Sequence, residues 1–288
     1  MTTILRQLMV LVMILGFMFA MPPVSSGTPI TFSASGANAA AIQATVNDFR
    51  TALGGIDNLN NAGPIDTGRR EINWDGGGAT NGTAAVTPFT VFQNTRGATF
   101  TTSGSGLTQT PITGGTVDIA PLVGGLQGSL ADLNATYATT FQTFSPNRLF
   151  TPLDSNITFG TFSIPGTNGA VAATVSGFGA VFTDVDLANT TSIQFFGPSN
   201  TSLGTFLVPT ANQGLSFLGV TFTTERIASV QITTGNSNLG PTDGGGVDVV
   251  VMDDFLYGEP KGVPEPATLL LLGSGLLGLA AWRRKQSA

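Results

Sequence analysis

The chain has 288 residues, 17 acidic against 11 basic side chains, a net charge of −6, and neither cysteine nor histidine. Without cysteine there is no disulfide framework, thiolate nucleophile or sulfur-ligated metal. Without histidine there is no Ser-His-Asp triad, His-ligated zinc or axial haem ligand. Arg6, Arg283, Arg284 and Lys285 belong to the two ends, so the stretch between them is more acidic still and excludes a nucleic-acid surface, which needs clustered Lys and Arg.

Arg6 is followed by an apolar stretch from Leu8 to Ala20 and then by Met21-Pro22-Pro23-Val24-Ser25-Ser26-Gly27. About 13 apolar residues make a secretory h-region rather than a spanning helix. Residues 1–26 therefore read as a signal peptide for the Sec export machinery, cut before Gly27, with a cut after Ala20 as the alternative. Residues 27–262 form the exported body. Ile42, Val46, Phe49 and Leu53 share one face of a predicted amphipathic helix over about 37–53, stopped by Gly54-Gly55 and expected to pack on a sheet. Residues 63–150 are punctuated by Gly and Pro and read as irregular. Within them, Arg69-Arg70-Glu71-Ile72 runs as a strand into a tight turn, and Trp74 is a core or interface aromatic.

The clearest strands fall within 156–258: Asn156–Ile164, Ala170–Phe182, Ser192–Phe196, Gly204–Val208, Leu215–Phe222, Ile227–Thr233 and Val247–Tyr257. Gly197-Pro198-Ser199-Asn200 is a hairpin-type turn. Abundant Gly, Thr, Asn, Ser and Phe favour strands and turns over helix. The predicted fold class is all-β, an antiparallel β-sandwich, most simply jelly-roll-like. The series Gly177-Phe178-Gly179-Ala180-Val181-Phe182-Thr183-Asp184-Val185-Asp186, Ser192-Ile193-Gln194-Phe195-Phe196, Leu215-Ser216-Phe217-Leu218-Gly219-Val220 and Val251-Met252-Asp253-Asp254-Phe255-Leu256-Tyr257-Gly258 resembles the jelly-roll modules of secreted bacterial surface proteins. That resemblance implies a structural calcium ion or a bound sugar in some members.

Candidate metal ligands are Asp184, Asp186, Asp253 and Asp254, with Asp243 and Asp248 able to join them. Asp184 and Asp186 stand at i, i+2 and point to one side, and calcium takes six to eight oxygens from such groups. The alternative is that these aspartates cap turns and blunt strand edges. No other cofactor is expected. Alternation along the last strand puts Asp253 and Asp254 on opposite, otherwise apolar faces. A buried one would need a backbone N–H, Arg226 or a cation. Catalysis has little to draw on. The body holds only Glu71, Glu225 and Glu259 as glutamates, without the paired acids of a glycosidase, so no enzyme is expected. Trp74, Tyr137 and Tyr257 are the aromatics available to stack on a sugar.

The C-terminal segment, residues 263–288, opens on Val263-Pro264-Glu265-Pro266. An uncharged run from Ala267 to Trp282 follows, then Arg283-Arg284-Lys285. Sixteen residues make roughly 24 Å of helix against a hydrocarbon core of about 30 Å, a transmembrane helix over 267–282 that Val263 and the prolines can extend. Trp282 suits the interface, and the basic cluster is a cytoplasmic stop that places the body outside. The arrangement resembles the PEP-CTERM sorting signal of bacterial exported proteins. The resemblance implies export across the inner membrane and transient anchoring there. It also implies processing at or near Pro-Glu-Pro by an exosortase, an integral-membrane enzyme, and loss of Leu269–Lys285 from the mature form. The expected end state is a non-enzymatic cell-surface or extracellular-matrix protein associated with exopolysaccharide, as in biofilm. A carbohydrate-binding module is the alternative, a polysaccharide hydrolase a more distant one.

Overall fold

The computed structural model describes residues 28–76, 81–82, 85–117, 128–223 and 227–263, together with positions 275 and 283. The signal peptide and most of the apolar tail lie outside these residues. The strands in chain order are β1 (Ile30–Gly36), β2 (Arg69–Ile72), β3 (Asn81–Gly82), β4 (Ala98–Thr102), β5 (Gly106–Pro111), β6 (Thr116–Val117), β7 (Arg148–Leu153) and β8 (Ile157–Phe162). They continue with β9 (Ala173–Thr174), β10 (Gly177–Val185), β11 (Ser192–Gly197), β12 (Thr201–Leu207), β13 (Ala211–Thr221), β14 (Ser229–Thr233), β15 (Val251–Gly258) and β16 (Lys261–Gly262). The long helix, α1, is Ala39–Ala52.

Two antiparallel sheets carry the fold. One has seven strands, ordered β1-β13-β10-β15-β7-β5 with β2 also on β15, and the other has five, ordered β12-β11-β14-β8-β4. They face each other across a core to which Phe178, Phe182, Phe255 and Tyr257 come from the first sheet and Phe100, Phe162, Ile193, Phe195, Val230 and Ile232 from the second. The expected all-β antiparallel sandwich with one N-terminal amphipathic helix is what forms. In the smaller sheet the burial of β8, β11 and β14 alternates residue by residue, as a sheet with one face on the core and one on solvent requires.

The central strands of the larger sheet are buried on both faces, which is why β10 has no exposed residue, while the edge strand β1 stays partly exposed. Part of the sheet's outer face is covered by α1, whose Ile42, Val46 and Phe49, with Leu53 just past its end, pack on Val181, Leu215, Phe217 and Leu256. Asn38 caps the helix, its side chain accepting from the Ala41 N–H at 3.3 Å. Gly179 and Gly219 lie opposite each other on β10 and β13. A Cβ on Gly219 would stand 2.7 Å from the Phe49 ring, and one on Gly179 would stand 2.9 Å from it. The glycine pair is therefore a slot that seats Phe49, whose ring edges meet Phe32 and Phe217 at 5.4 Å each. The rest of that face is closed by Leu130, Tyr137, Phe141 and Leu239 over Leu149, Leu153, Val249 and Val251.

The segment read as irregular, 63–150, supplies β2, β4, β5 and the first half of β7, members of both sheets. Their partners are remote: β4 pairs β8, and β2 pairs β15. Strands such as Ala98–Thr102 and Gly106–Pro111 are rich in Thr and Gly, so their apolar alternation is weak and only the partner strands define them.

Candidate functional site

The four aspartates singled out as calcium ligands divide between two places. Asp184 and Asp186 meet Asp243, with a carboxylate oxygen of each lying within 4.8 Å of the others. Asp184 occupies an irregularity where the β10–β13 register shifts between Thr183 and Val185, and its φ is +65°. Its Oδ1 accepts from the Gln213 N–H at 2.7 Å. Asp243, on the loop from β14 to β15, accepts from the Val249 N–H at 3.2 Å. Asp248 stands behind them, accepting from the Asp186 N–H at 3.0 Å and from the Thr190 hydroxyl. Asp184 Oδ2 and Asp186 Oδ1 are buried without a hydrogen-bond partner. Burial pushes the Asp184 carboxyl up to about 8, against the pull of the Gln213 N–H, and the charges of Asp186 and Asp243 add to the rise.

Asp253 and Asp254 lie elsewhere, and a bulge explains why. On β15, Met252 faces Phe182 and Phe255 faces Ala180, so two residues of β15 oppose one of β10. The simple alternation expected from the sequence is broken there, and both carboxylates turn to one neighbouring segment. Asp253 Oδ2 accepts from the Phe144 N–H at 2.6 Å, and Asp254 Oδ1 accepts from the Ser145 hydroxyl at 2.6 Å. Both aspartates are buried. A backbone N–H thus serves Asp253, one of the partners anticipated for it, while Arg226 lies outside the described residues. Around this pair stand Asp75, whose Oδ1 accepts from the N–H groups of Asn147 and Arg148, and the Arg50–Glu71–Arg69 cluster. Burial would raise Glu71, but hydrogen bonds from Arg50 and Arg69 outweigh it and hold the carboxylate below its ordinary range. None of these neighbours was singled out by the sequence as a partner of the pair. The bulge that gathers them leaves no mark in a one-strand pattern.

A pH dependence follows from this pair. Burial, with the Asp254 charge next, lifts Asp253 well above the usual carboxylate range. Burial lifts Asp254 to about 6, opposed by the Ser145 and Asp253 hydrogen bonds and by Arg50, and assisted by Glu71. A carboxyl raised on folding stabilises the fold fully below its unfolded value, and that contribution is lost as pH rises through the folded one. For Asp254 the window runs from about pH 4 to about pH 6 and is worth about 2–3 kcal/mol. Asp254→Asn cannot ionise, so its stability relative to wild type is expected to rise by that amount between pH 4 and pH 8. Denaturant titrations at the two pH values check this, and a constant difference would place the carboxylate in contact with water.

The body ends where the sorting segment starts. Glu259, 3% exposed, forms a fully buried pair with Arg70, Nε to Oε2 at 2.6 Å and Nη2 to Oε1 at 2.7 Å. β16 pairs β9, Lys261 opposite Thr174 and Gly262 opposite Ala173, and the Val263 N–H donates to the Ala172 carbonyl at 3.4 Å. Lys261 Nζ donates to the Asp66 carbonyl at 2.6 Å. A cavity of about 200 Å³ opens beside this exit, lined by Leu53, Asp66, Gly68, Ser176, Glu259 and Lys261. Val263 is thus seated on the body, while Pro264, Glu265 and Pro266 lie outside the described residues. So do Arg284 and Lys285, and of the basic stop only Arg283 is described. Among the described residues no helix is long and apolar enough to cross a membrane. The run 267–282 lies outside them except for Gly275. Trp74, Tyr137 and Tyr257, the aromatics weighed for sugar stacking, are all buried in the core.

No curated protein matches the chain. Among solved structures, the enzymatically active domain of tailspike protein 4 of bacteriophage CBA120 is similar over 62% of this chain, at 11% identity and a TM-score of 0.25. The chain spans 21% of that structure's length, and a likeness this low carries no argument. The model of the PEP-CTERM protein-sorting motif matches residues 262–285, from the end of β16 through the basic stop. The chain carries a PEP-CTERM sorting signal, which marks it for export, anchoring at the membrane and processing by an exosortase.

Proposed function

We propose that the exported body is a non-enzymatic module that ends at the cell surface or in the extracellular matrix and associates there with exopolysaccharide. The unprocessed chain is held in the inner membrane by a helix over 267–282. The observation that carries the polysaccharide reading is the five-stranded sheet. In an acidic protein, β4, β8, β11, β12 and β14 contain no charged residue at all. Register sets Thr205, Gln194, Gln231, Phe159 and Thr101 in one row across its outer face, and Ser202, Phe196, Ser229, Thr161 and Thr99 in the next. Phe159 is 38% exposed in the middle of these hydroxyls and amides. Five strands about 4.8 Å apart make a platform about 20 Å wide, enough for several sugar rings. Hydroxyl and amide groups exchange hydrogen bonds with sugar hydroxyls without the desolvation cost of a charge, and an exposed ring gives a stacking surface.

The two glutamates among the described residues support the non-enzymatic reading, while Glu225 lies outside them. Glu71 is held by Arg50 and Arg69, and Glu259 by Arg70, so neither is free to act as a tuned acid. Cosedimentation of the full chain, in mild detergent, with exopolysaccharide purified from the producing cells tests the proposal. Binding is expected, and Phe159→Asp, at an exposed position, is expected to weaken it about tenfold or more. Absence of binding, or equal binding by Phe159→Asp, would remove this face from the function. Release of sugars from the polymer would make the protein a hydrolase instead.

A further inference from the structure

The geometry points to a divalent-cation site, calcium by its chemistry, built from Asp184, Asp186 and Asp243, with Asp248 as the residue that positions Asp186. Two ligands on opposite sides of a calcium ion lie about 4.6–5.2 Å apart, since each oxygen bonds at about 2.3–2.6 Å. Three carboxylate oxygens within 4.8 Å of one another fit around one such ion. Magnesium bonds at about 2.0–2.1 Å in a near-ideal octahedron and keeps most of its water, so a site of three carboxylates from separate segments suits it less.

The second observation is independent of the clustering. Asp184 is 1% exposed, and its Oδ2 has no hydrogen-bond donor, nor has the buried Asp186 Oδ1. Asp184 and Asp186 thus each keep a buried, unsatisfied oxygen, a costly state unless something positive or protonated completes it. Arg50, Arg69 and Arg70 are committed to Glu71 and Glu259. The backbone already fixes the other side of the site. The Gln213 N–H holds Asp184 Oδ1, the Val249 N–H holds Asp243, and Asp248 receives the Asp186 N–H. Asp184 and Asp243 are therefore each preorganised by a backbone donor on one carboxylate oxygen, which leaves the other for the ion, and Asp186 is positioned through its own backbone N–H. Water and carbonyl oxygens supply the rest of a six- to eight-oxygen shell. The ion would tie the end of β10 to the loop before β15, just beyond the point where Thr183 of β10 pairs with Val251 of β15. This inference does not rest on the polysaccharide reading.

The test uses the full chain in mild detergent, stripped with EGTA and dialysed, then melted with calcium chloride or with EGTA. At a hundredfold excess over Kd the midpoint is expected to rise by roughly 5–10 °C, with a smaller rise for magnesium. Asp186→Asn, partly exposed and so tolerant of change, is expected to abolish the rise, while Asp253→Asn keeps it. Isothermal titration with calcium chloride reads the same site directly, with about one ion per chain for wild type. Identical midpoints with calcium and EGTA together with no binding heat would overturn the site. A calcium response retained by Asp186→Asn, or lost only in Asp253→Asn, would overturn its location.

Discussion

Glu259→Ala is expected to destabilise the folded body by about 3–5 kcal/mol, the usual cost of leaving one charge of a buried pair behind. Arg70 is fully buried, and its guanidinium is served from all sides. Glu259 takes Nε and Nη2, and Nη1 donates to the carbonyls of Leu59 at 2.7 Å and Asn61 at 2.8 Å. The carboxylate in turn accepts from Asn58 Nδ2 at 2.8 Å and from the Ile65 N–H at 3.3 Å. Alanine removes four of these bonds at once and leaves the arginine charge facing a hole. The double variant Arg70→Met, Glu259→Leu removes both charges and is expected to cost clearly less than the single change. Denaturant midpoints of the three proteins check the ordering. A single variant no worse than the double would mean that water reaches Arg70. The consequence for sorting is direct, because Glu259 holds the chain just before β16 leads into the motif. Breaking the pair is expected to loosen β16 from β9 and to change how the motif is presented.

What the sequence reveals here depends on how local the cause is. The helix is legible because Ile42, Val46 and Phe49 are spaced for one face and Gly54-Gly55 ends it. The turn at Pro198–Asn200 is legible because its own residues dictate it. The alternation of Ser192–Gly197 and Ser229–Thr233 is written in the chain because their sheet has one wet face. By contrast, β1 is a Ser- and Ala-containing edge strand recognisable only through β13, and β7 is buried on both sides, where no alternation survives.

The candidate site divides the same way. Asp184 and Asp186 do stand together, as their i, i+2 spacing suggests, but the register shift and the φ of +65° at Asp184 break the regular strand that the spacing assumes. That Asp243 joins them follows from a loop whose path is set by Asn236, which donates its N–H to the Asp248 carbonyl and accepts the Asp248 N–H on its side chain. Nothing in a glycine-rich stretch announces that path. A regular strand period puts Asp253 and Asp254 on opposite faces, and one bulge redirects both. Arg70 and Glu259 are 189 residues apart, a pairing that only the sheet's closure on β15 creates.

Trp74→Ala is expected to cost about 3–5 kcal/mol through the lost apolar surface and the cavity left in its place. The indole lies at the centre of an aromatic cluster. It stacks on Phe150 with centroids 3.7 Å apart and planes 3° from parallel, and Phe255, Phe92 and Phe100 meet it edge-on at 4.9, 5.7 and 5.7 Å. These rings come from both sheets, so a hole here loosens the contact between them and not one strand alone. The indole also has a polar duty. Its Nε1–H donates at 2.9 Å to the Asp253 carbonyl, in the bulge where the regular ladder cannot serve that oxygen. Trp74→Phe separates the two contributions, since it keeps most of the ring contact but orphans the carbonyl, and is expected to cost about 1–3 kcal/mol. Circular-dichroism melts compare the variants, with the alanine midpoint expected to fall roughly 6–20 °C. If phenylalanine proves as costly as alanine, the hydrogen bond that fixes the bulge outweighs the packing. If it proves neutral, the bulge is held by Phe144 and Ser145 alone, and the aspartate pair keeps its geometry without the indole.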